Sequence, residues 1–197
     1  MVSHTLHEDM PQFKIEKQWV EFNYPCVITI NDQLGFRCGY VGVPVGHILH
    51  GFGYDNIKYP TKKEILKTGW SDKVKVFAIS NPEYGLDIGR IIDIHGGLTF
   101  NGPIGIDIED KHYWRQHWFF GYDCGHHNDK LDISLLSKDL PKEAMAFMVN
   151  RYKTDRGTVR THKYCVEQCK SLARQLNFLM NGEIRQELLS KRWIANE

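Results

Sequence analysis

The spacing of hydrophobic positions changes along the chain, from short alternating runs to a helical period near the end. "PCVITI" and "GFRCGYVGV" are β-type runs separated by "NDQLG", a stretch of turn residues, and together they predict a hairpin over residues 25–43. "KVKVFAI" alternates, with Val74, Val76 and Ala78 on one face. "RIIDI" predicts a strand that ends at His95, and "HWFFGYDC" an aromatic strand that ends at Asp123 and Cys124. The overlapping run "YWRQHWFF" alternates as a buried strand does. "PVGHILHGFGYDNIKYP" is broken by glycine and proline and reads as an irregular loop. "TKKEILKTGW" predicts a short helix capped by Thr61, with Glu64 completing a capping box.

From Thr158 to Met180 the apolar residues fall at Cys165, Cys169, Leu172, Leu176 and Leu179, flanked by Val166, Ala173 and Met180. That is helical spacing, and Asn181-Gly182 is a suitable end. A shorter helix is predicted around Ile184, Leu188 and Leu189. Strands first and helix last predict an α+β fold: a single domain over 1–197, a mostly antiparallel sheet with a long C-terminal helix packed on it. Within it we expect a polar lead-in over 1–17, a sheet-rich part over 18–132 and a helical part over 158–194.

Composition narrows the classes. A chain of 197 residues, 42% hydrophobic and 25% charged, can bury one real core. The formal charge of +1 argues against a partner such as duplex DNA or an anionic membrane, which needs a basic surface. It leaves room for a small anionic ligand. Five cysteines without a repeated spacing do not form a disulfide framework, and no apolar run approaches the roughly 20 residues of a membrane helix. A reduced, cytosolic, soluble protein is the expectation, and a homo-oligomer stays open.

Ten histidines are many for this length, so their placement matters. In "IDIHGGLTFNG", His95 precedes a glycine pair, where the chain can turn freely. In "FFGYDCGHHNDKLD", an aromatic strand runs into Asp123, Cys124, His126, His127, Asp129 and Asp132. Carboxylate and imidazole together suit Zn, Mn or Fe better than Ca or Mg. Asp123 and His126 can converge from one loop, and His95 adds an imidazole if its strand lies beside that of Asp123. The candidate metal set is His95, Asp123, His126 and Asp129. A divalent metal there, Zn or Mn, would give a nucleophilic water. Without metal, His95, Asp123 and His126 suit general acid–base work. The competing reading is a polar turn, since Asp, His and Asn are turn residues.

The segment "FRCGYVGVPVGHILHGFGYD" offers Arg37 as a two-pronged donor to phosphate or carboxylate. Tyr40, Phe52 and Tyr54 can stack on a base, and His47 and His50 add donors. The alternative is a strand with a solvated Arg37 and a loop whose aromatics plug the core, which we favour for Phe52. Gly96, Gly97 and Thr99 complete the candidate ligand-binding set with Arg37, Tyr40 and His47. Cys165 and Cys169, four apart, fit the helix core better than a metal site, and Cys124 reads as a buried thiol rather than a nucleophile. The basic stretch over 151–163, with Arg151, Lys153, Arg156, Arg160 and Lys163, reads as a solvated helix start; the alternative is an anion clamp at a helix N-terminus.

Three segments, "RCGYVGVPVGH", "HGGLTFNG" and "WFFGYDCGHHND", together resemble a family of small proteins common in bacteriophages and prophages. Its members carry C-G-Y-V-x-V-P-x-G-H, H-G-G-L-T-[FY] and [WF]-x-G-[FY]-D-C-[AG]-H runs and end in a helix like "YCVEQCKSLARQL". The likeness spans roughly residues 19–179. This chain departs from it with Gly125 and His127 around His126, and with a longer segment around 130–155. The resemblance implies a phage protein working in the host cytoplasm, with Arg37, Tyr40, His47, His95, Gly96, Gly97, Asp123, Cys124 and His126 in one site. It also directs attention to nucleotide-derived signals of host defence as ligands. The reading ranked first is a hydrolase acting on a phosphate-containing small molecule, a nucleotide or a nucleotide-derived signal. The alternatives are a binding protein that sequesters such a signal without turnover, and a structural or partner-binding phage protein.

Overall fold

The computed structural model describes residues 14–52, 63, 88–104 and 116–181. Strand β1 (Lys14–Glu21) pairs antiparallel with β2 (Tyr24–Asn31), and β2 with β3 (Phe36–Val43). A short helix, α1 (Ile88–Ile91), precedes β4 (Phe100–Gly102), which pairs with β5 (Trp118–Asp123). The five-stranded antiparallel sheet has the order β1-β2-β3-β5-β4. Two residues of β6 (Asp129–Lys130) pair in parallel with β7 (Thr158–Val159). Between them lies α2 (Lys142–Thr154), and α3 (His162–Asn181) closes the described chain. The fold is the expected α+β domain, with the long helix α3 on the sheet.

The two faces of the sheet carry different cores. Cys26, Ile28, Val41, Val43, Phe120 and Tyr122 pack against Cys165, Cys169, Leu172, Ala173, Leu176 and Leu179 of α3. Val27, Cys38, Tyr40 and Phe119 form a second cluster on the other side. Leu172 and Leu176 are fully buried, and truncating such a leucine to alanine costs about 2–5 kcal/mol. The Gly-Tyr pairs of β3 and β5 interlock: Gly39 faces Tyr122 and Tyr40 faces Gly121 across the ladder. Each tyrosine ring occupies the space a Cβ on the opposing glycine would need.

Several expectations change. Residues 14–17, expected in the lead-in, belong to β1, which turns into β2 through Phe22 and Asn23 at φ 51° and 65°. That is the backbone of a tight hairpin turn, here without the usual glycine. "RIIDI" is not a strand: it ends α1 and continues as an irregular segment with Ile92 and Ile94 buried. Two glutamines of α3 stand in for a neighbouring strand. The Asp93 N–H donates to Gln175 Oε1 and Gln175 Nε2 donates to the Asp93 carbonyl, both at 2.7 Å, and the His95 N–H donates to Gln168 Oε1 at 3.0 Å. The helical part begins at His162 rather than 158, because Thr158 and Val159 lie in β7. Arg151 and Lys153 end α2, so the basic stretch spans a connection between two helices. The helix at Thr61 and Glu64, the run "KVKVFAI", Tyr54 and the helix near Ile184 lie outside the described residues, as does part of "YWRQHWFF". Among the described residues no helix is long and apolar enough to cross a membrane.

Candidate metal centre

The side chains of His95, His126 and Asp129 meet where the 95–97 turn, the loop after β5 and the start of β6 come together. His95 Nε2 lies 2.7 Å from Asp129 Oδ2, and its Nδ1 lies 3.0 Å from the Tyr164 hydroxyl in the first turn of α3. Arg160 Nε donates to Asp129 Oδ1 at 2.6 Å, and the His126 N–H donates to Oδ2 at 3.1 Å. The imidazoles of His95 and His126 stand edge to face, 5.4 Å apart. His126 Nδ1 lies 3.6 Å from Asp129 Oδ2 and 3.7 Å from Asp123 Oδ1, beyond hydrogen-bond reach of both. That nitrogen is buried and makes no hydrogen bond among the described residues.

Local chemistry explains the convergence. The Asp129 N–H donates to the His126 carbonyl at 2.9 Å, which closes the loop and turns both side chains to one side. Gly96 and Gly97 have φ 63° and 88°, a region that disfavours residues with a Cβ. A Cβ on Gly96 would stand inside the His126 ring. The glycine pair therefore turns the chain after His95 and leaves room for His126.

Asp129 is 4% exposed yet stays ionised. Burial works against its charge, but hydrogen bonds from Arg160, His95 and the His126 backbone outweigh that and hold its pKa below the usual carboxylate value. Arg160 is held in turn by the Tyr164 ring, 5.0 Å from its guanidinium. Two imidazoles and one ionised carboxylate whose donor atoms lie within 4.8 Å of one another are able to hold a metal ion. Tetrahedral zinc, with bonds of about 2.0–2.2 Å to N and O, needs donors about 3.4 Å apart, so small side-chain movements complete the set. Three protein ligands would leave a fourth position open, the arrangement of hydrolytic zinc sites.

The structure brings His95, Gly96, Gly97, His126 and Asp129 together, with Asp123 at the margin, where its Oδ1 accepts from the Gly125 N–H at 2.9 Å. It separates the others. Arg37, expected as an anion donor, is buried and committed to Glu16 through two nitrogens at 2.9 Å, with Asp132 at 3.4 Å. Burial opposes charge on Glu16, but Arg37 and His162 overcome it and hold that carboxyl below its usual pKa. Tyr40 is buried on the sheet face away from α3, edge-on to Phe100. His47 sits beside the Leu176 carbonyl at 3.3 Å. Twelve residues of helix separate that point from Tyr164, about 18 Å at 1.5 Å per residue. Thr99 is exposed and its backbone N–H joins Gly121. His50 bonds the Gln116 carbonyl at 2.9 Å, and Phe52 packs on the core margin. Cys124, Cys165 and Cys169 are core thiols. Tyr164, Arg160 and Gln168, which hold the site, were not among the expected residues; Arg160 was visible only as one charge in a basic stretch.

Comparison of the chain with protein-family profiles, with curated proteins and with solved structures gives no match.

Proposed function

We propose that this protein is a hydrolase built on a divalent-metal centre of His95, His126 and Asp129, acting on a phosphate-containing small molecule. The observation that carries the reading is the buried, unbonded His126 Nδ1 beside an ionised Asp129 and a second imidazole. A zinc- or manganese-class ion would supply Lewis acidity and an activated water. Tyr164 on His95 and Arg160 on Asp129 supply the outer contacts that ligands of such centres commonly have. The anionic substrate is supported by Arg160 and by the start of α3, whose backbone dipole adds positive potential beside the centre. Nucleotides and nucleotide-derived signals are the first phosphate compounds to try, and they would have to be held without Arg37, Tyr40 or His47.

One observation favours a rival. Arg160, Asp129, His95 and Tyr164 already form a continuous chain of hydrogen bonds. Such a chain can wall a metal-free pocket that captures the same ligands without turnover. Incubation with nucleotides, cyclic dinucleotides and cyclic ADP-ribose isomers, with added zinc or manganese or with chelator, separates the two. Hydrolysis expects new products that vanish with chelator and in Asp129→Asn. Intact ligand released only by heat would establish capture instead. Neither products nor released ligand would remove phosphate compounds from the account.

A further inference from the structure

Tyr164 touches two members of the site at once. Its hydroxyl meets His95 Nδ1 at 3.0 Å, and its ring lies under the Arg160 guanidinium that holds Asp129. We propose that Tyr164 is a positioning residue that selects the metal-binding tautomer of His95 and thereby sets the affinity of the centre for a divalent transition ion. This rests on the reading of His95, His126 and Asp129 as metal ligands.

An ionised carboxylate only accepts hydrogen bonds. With Asp129 Oδ2 at 2.7 Å from His95 Nε2, that nitrogen bears the proton in the neutral, metal-free ring. Nδ1 is then an acceptor, and the Tyr164 hydroxyl donates to it. Ligation of a metal through Nε2 requires that nitrogen to be bare. The neutral ring then carries its proton on Nδ1, gaining and losing none overall, and Nδ1 needs an acceptor within reach. A phenol supplies both roles: it donates through its O–H or accepts on its oxygen by turning about its C–O bond.

His95 has little freedom to find another partner. Its backbone is held by Gln168, its ring packs edge-on against Tyr122 at 6.2 Å and Tyr164 at 5.5 Å, and its side chain is 10% exposed. Without the phenol oxygen, the metal-bound tautomer would bury an N–H with no acceptor. Tyr164→Phe keeps the ring under Arg160 and removes only the oxygen.

The test has two arms on the full chain. Zinc titration by calorimetry compares wild type with Tyr164→Phe, and nitrogen NMR of the His95 imidazole in wild type reads its tautomer with and without zinc. The expected result is one zinc per wild-type chain, binding about 10–100-fold weaker in Tyr164→Phe, and a proton that changes from Nε2 to Nδ1 when zinc binds. Equal zinc affinity in a folded Tyr164→Phe overturns the role of Tyr164 and leaves the metal centre standing, whereas a proton still on Nε2 in zinc-loaded wild type removes His95 as a ligand and overturns both. Absence of zinc binding to wild type overturns both. If the variant does not fold, the zinc-loaded wild type decides through the Nδ1 proton: slow exchange with water is expected of an N–H held by the Tyr164 oxygen, and exchange as fast as that of a free imidazole N–H overturns its role.

Discussion

Gly96 and His126 share one space: the imidazole of His126 fills the volume that a Cβ on Gly96 would take. At Gly97 a Cβ would meet nothing within 4 Å among the described residues, although both glycines have positive φ. The two positions therefore separate backbone strain from loss of the site. Gly97→Ala is expected to lose roughly 1–3 kcal/mol of stability and keep metal binding. Gly96→Ala should lose at least as much and lose metal binding too, because His126 must move. Urea melts and zinc titration of both variants check this.

Arg37 belongs to the fold rather than to ligand recognition. It joins β1, β3 and the Asp132 turn through carboxylates and also donates to the Arg160 carbonyl at 3.2 Å. Among the described residues Arg37→Met leaves Glu16 with only His162, and leaving a part-buried carboxylate without its main partner costs about 1–3 kcal/mol. Urea unfolding should show that loss. In whatever fraction stays folded, the dissociation constant for a phosphate ligand is expected to be unchanged.

Acid should weaken the protein through His47. Burial, partly offset by the hydrogen bond to the Leu176 carbonyl, lowers its pKa from 6.5 to about 4. Between those values the unfolded chain holds a proton that the folded chain does not. The contribution of neutral His47 is thus fully present above pH 6.5 and is lost as pH falls toward 4. At 1.36 kcal/mol per unit, the loss approaches roughly 3 kcal/mol. Stability measured from pH 7 to 4 should fall accordingly, with a flatter profile in His47→Gln. Asp129 and Glu16, held below their usual values, add their losses at lower pH.

The five cysteines are all buried and free, and burial raises Cys26 and Cys38 to about 12. A thiol-specific reagent at pH 8 should label none of them in the native protein within minutes and all five after denaturation. Rapid native labelling of Cys124 would contradict its place in the core.

The hairpin, β5 and α3 were legible because each has one period and marked ends: Asn31 to Gly35 between β2 and β3, and the Cys165-to-Leu179 stripe on α3. The segment Ile92–Ile94 misled because alternation reports which side chains are buried, not what pairs with the backbone. Its Asp93 backbone pairs with the side-chain amide of Gln175, and Gln168 takes the N–H of the next residue but one, His95. β1 was obscured by its charged edge positions and by a turn made of Phe22 and Asn23. α2 was missed because only Met148 along it is buried. At the site, glycines and turn residues marked His95 and the Asp123–Asp129 loop. Tyr164 and Arg160 carried no such mark. They reach His95 and Asp129 from 69 and 31 positions away, through packing that no local pattern records.

On the proposed function, His95, His126 and Asp129 hold one divalent metal. The most direct test is spectroscopic titration of metal-free protein with cobalt(II), comparing wild type with Asp129→Asn and His126→Ala. The account predicts one equivalent bound with the visible bands of a tetrahedral site, and loss of those bands in both variants. Wild type that takes up no cobalt, or variants that bind it as wild type does, would contradict it.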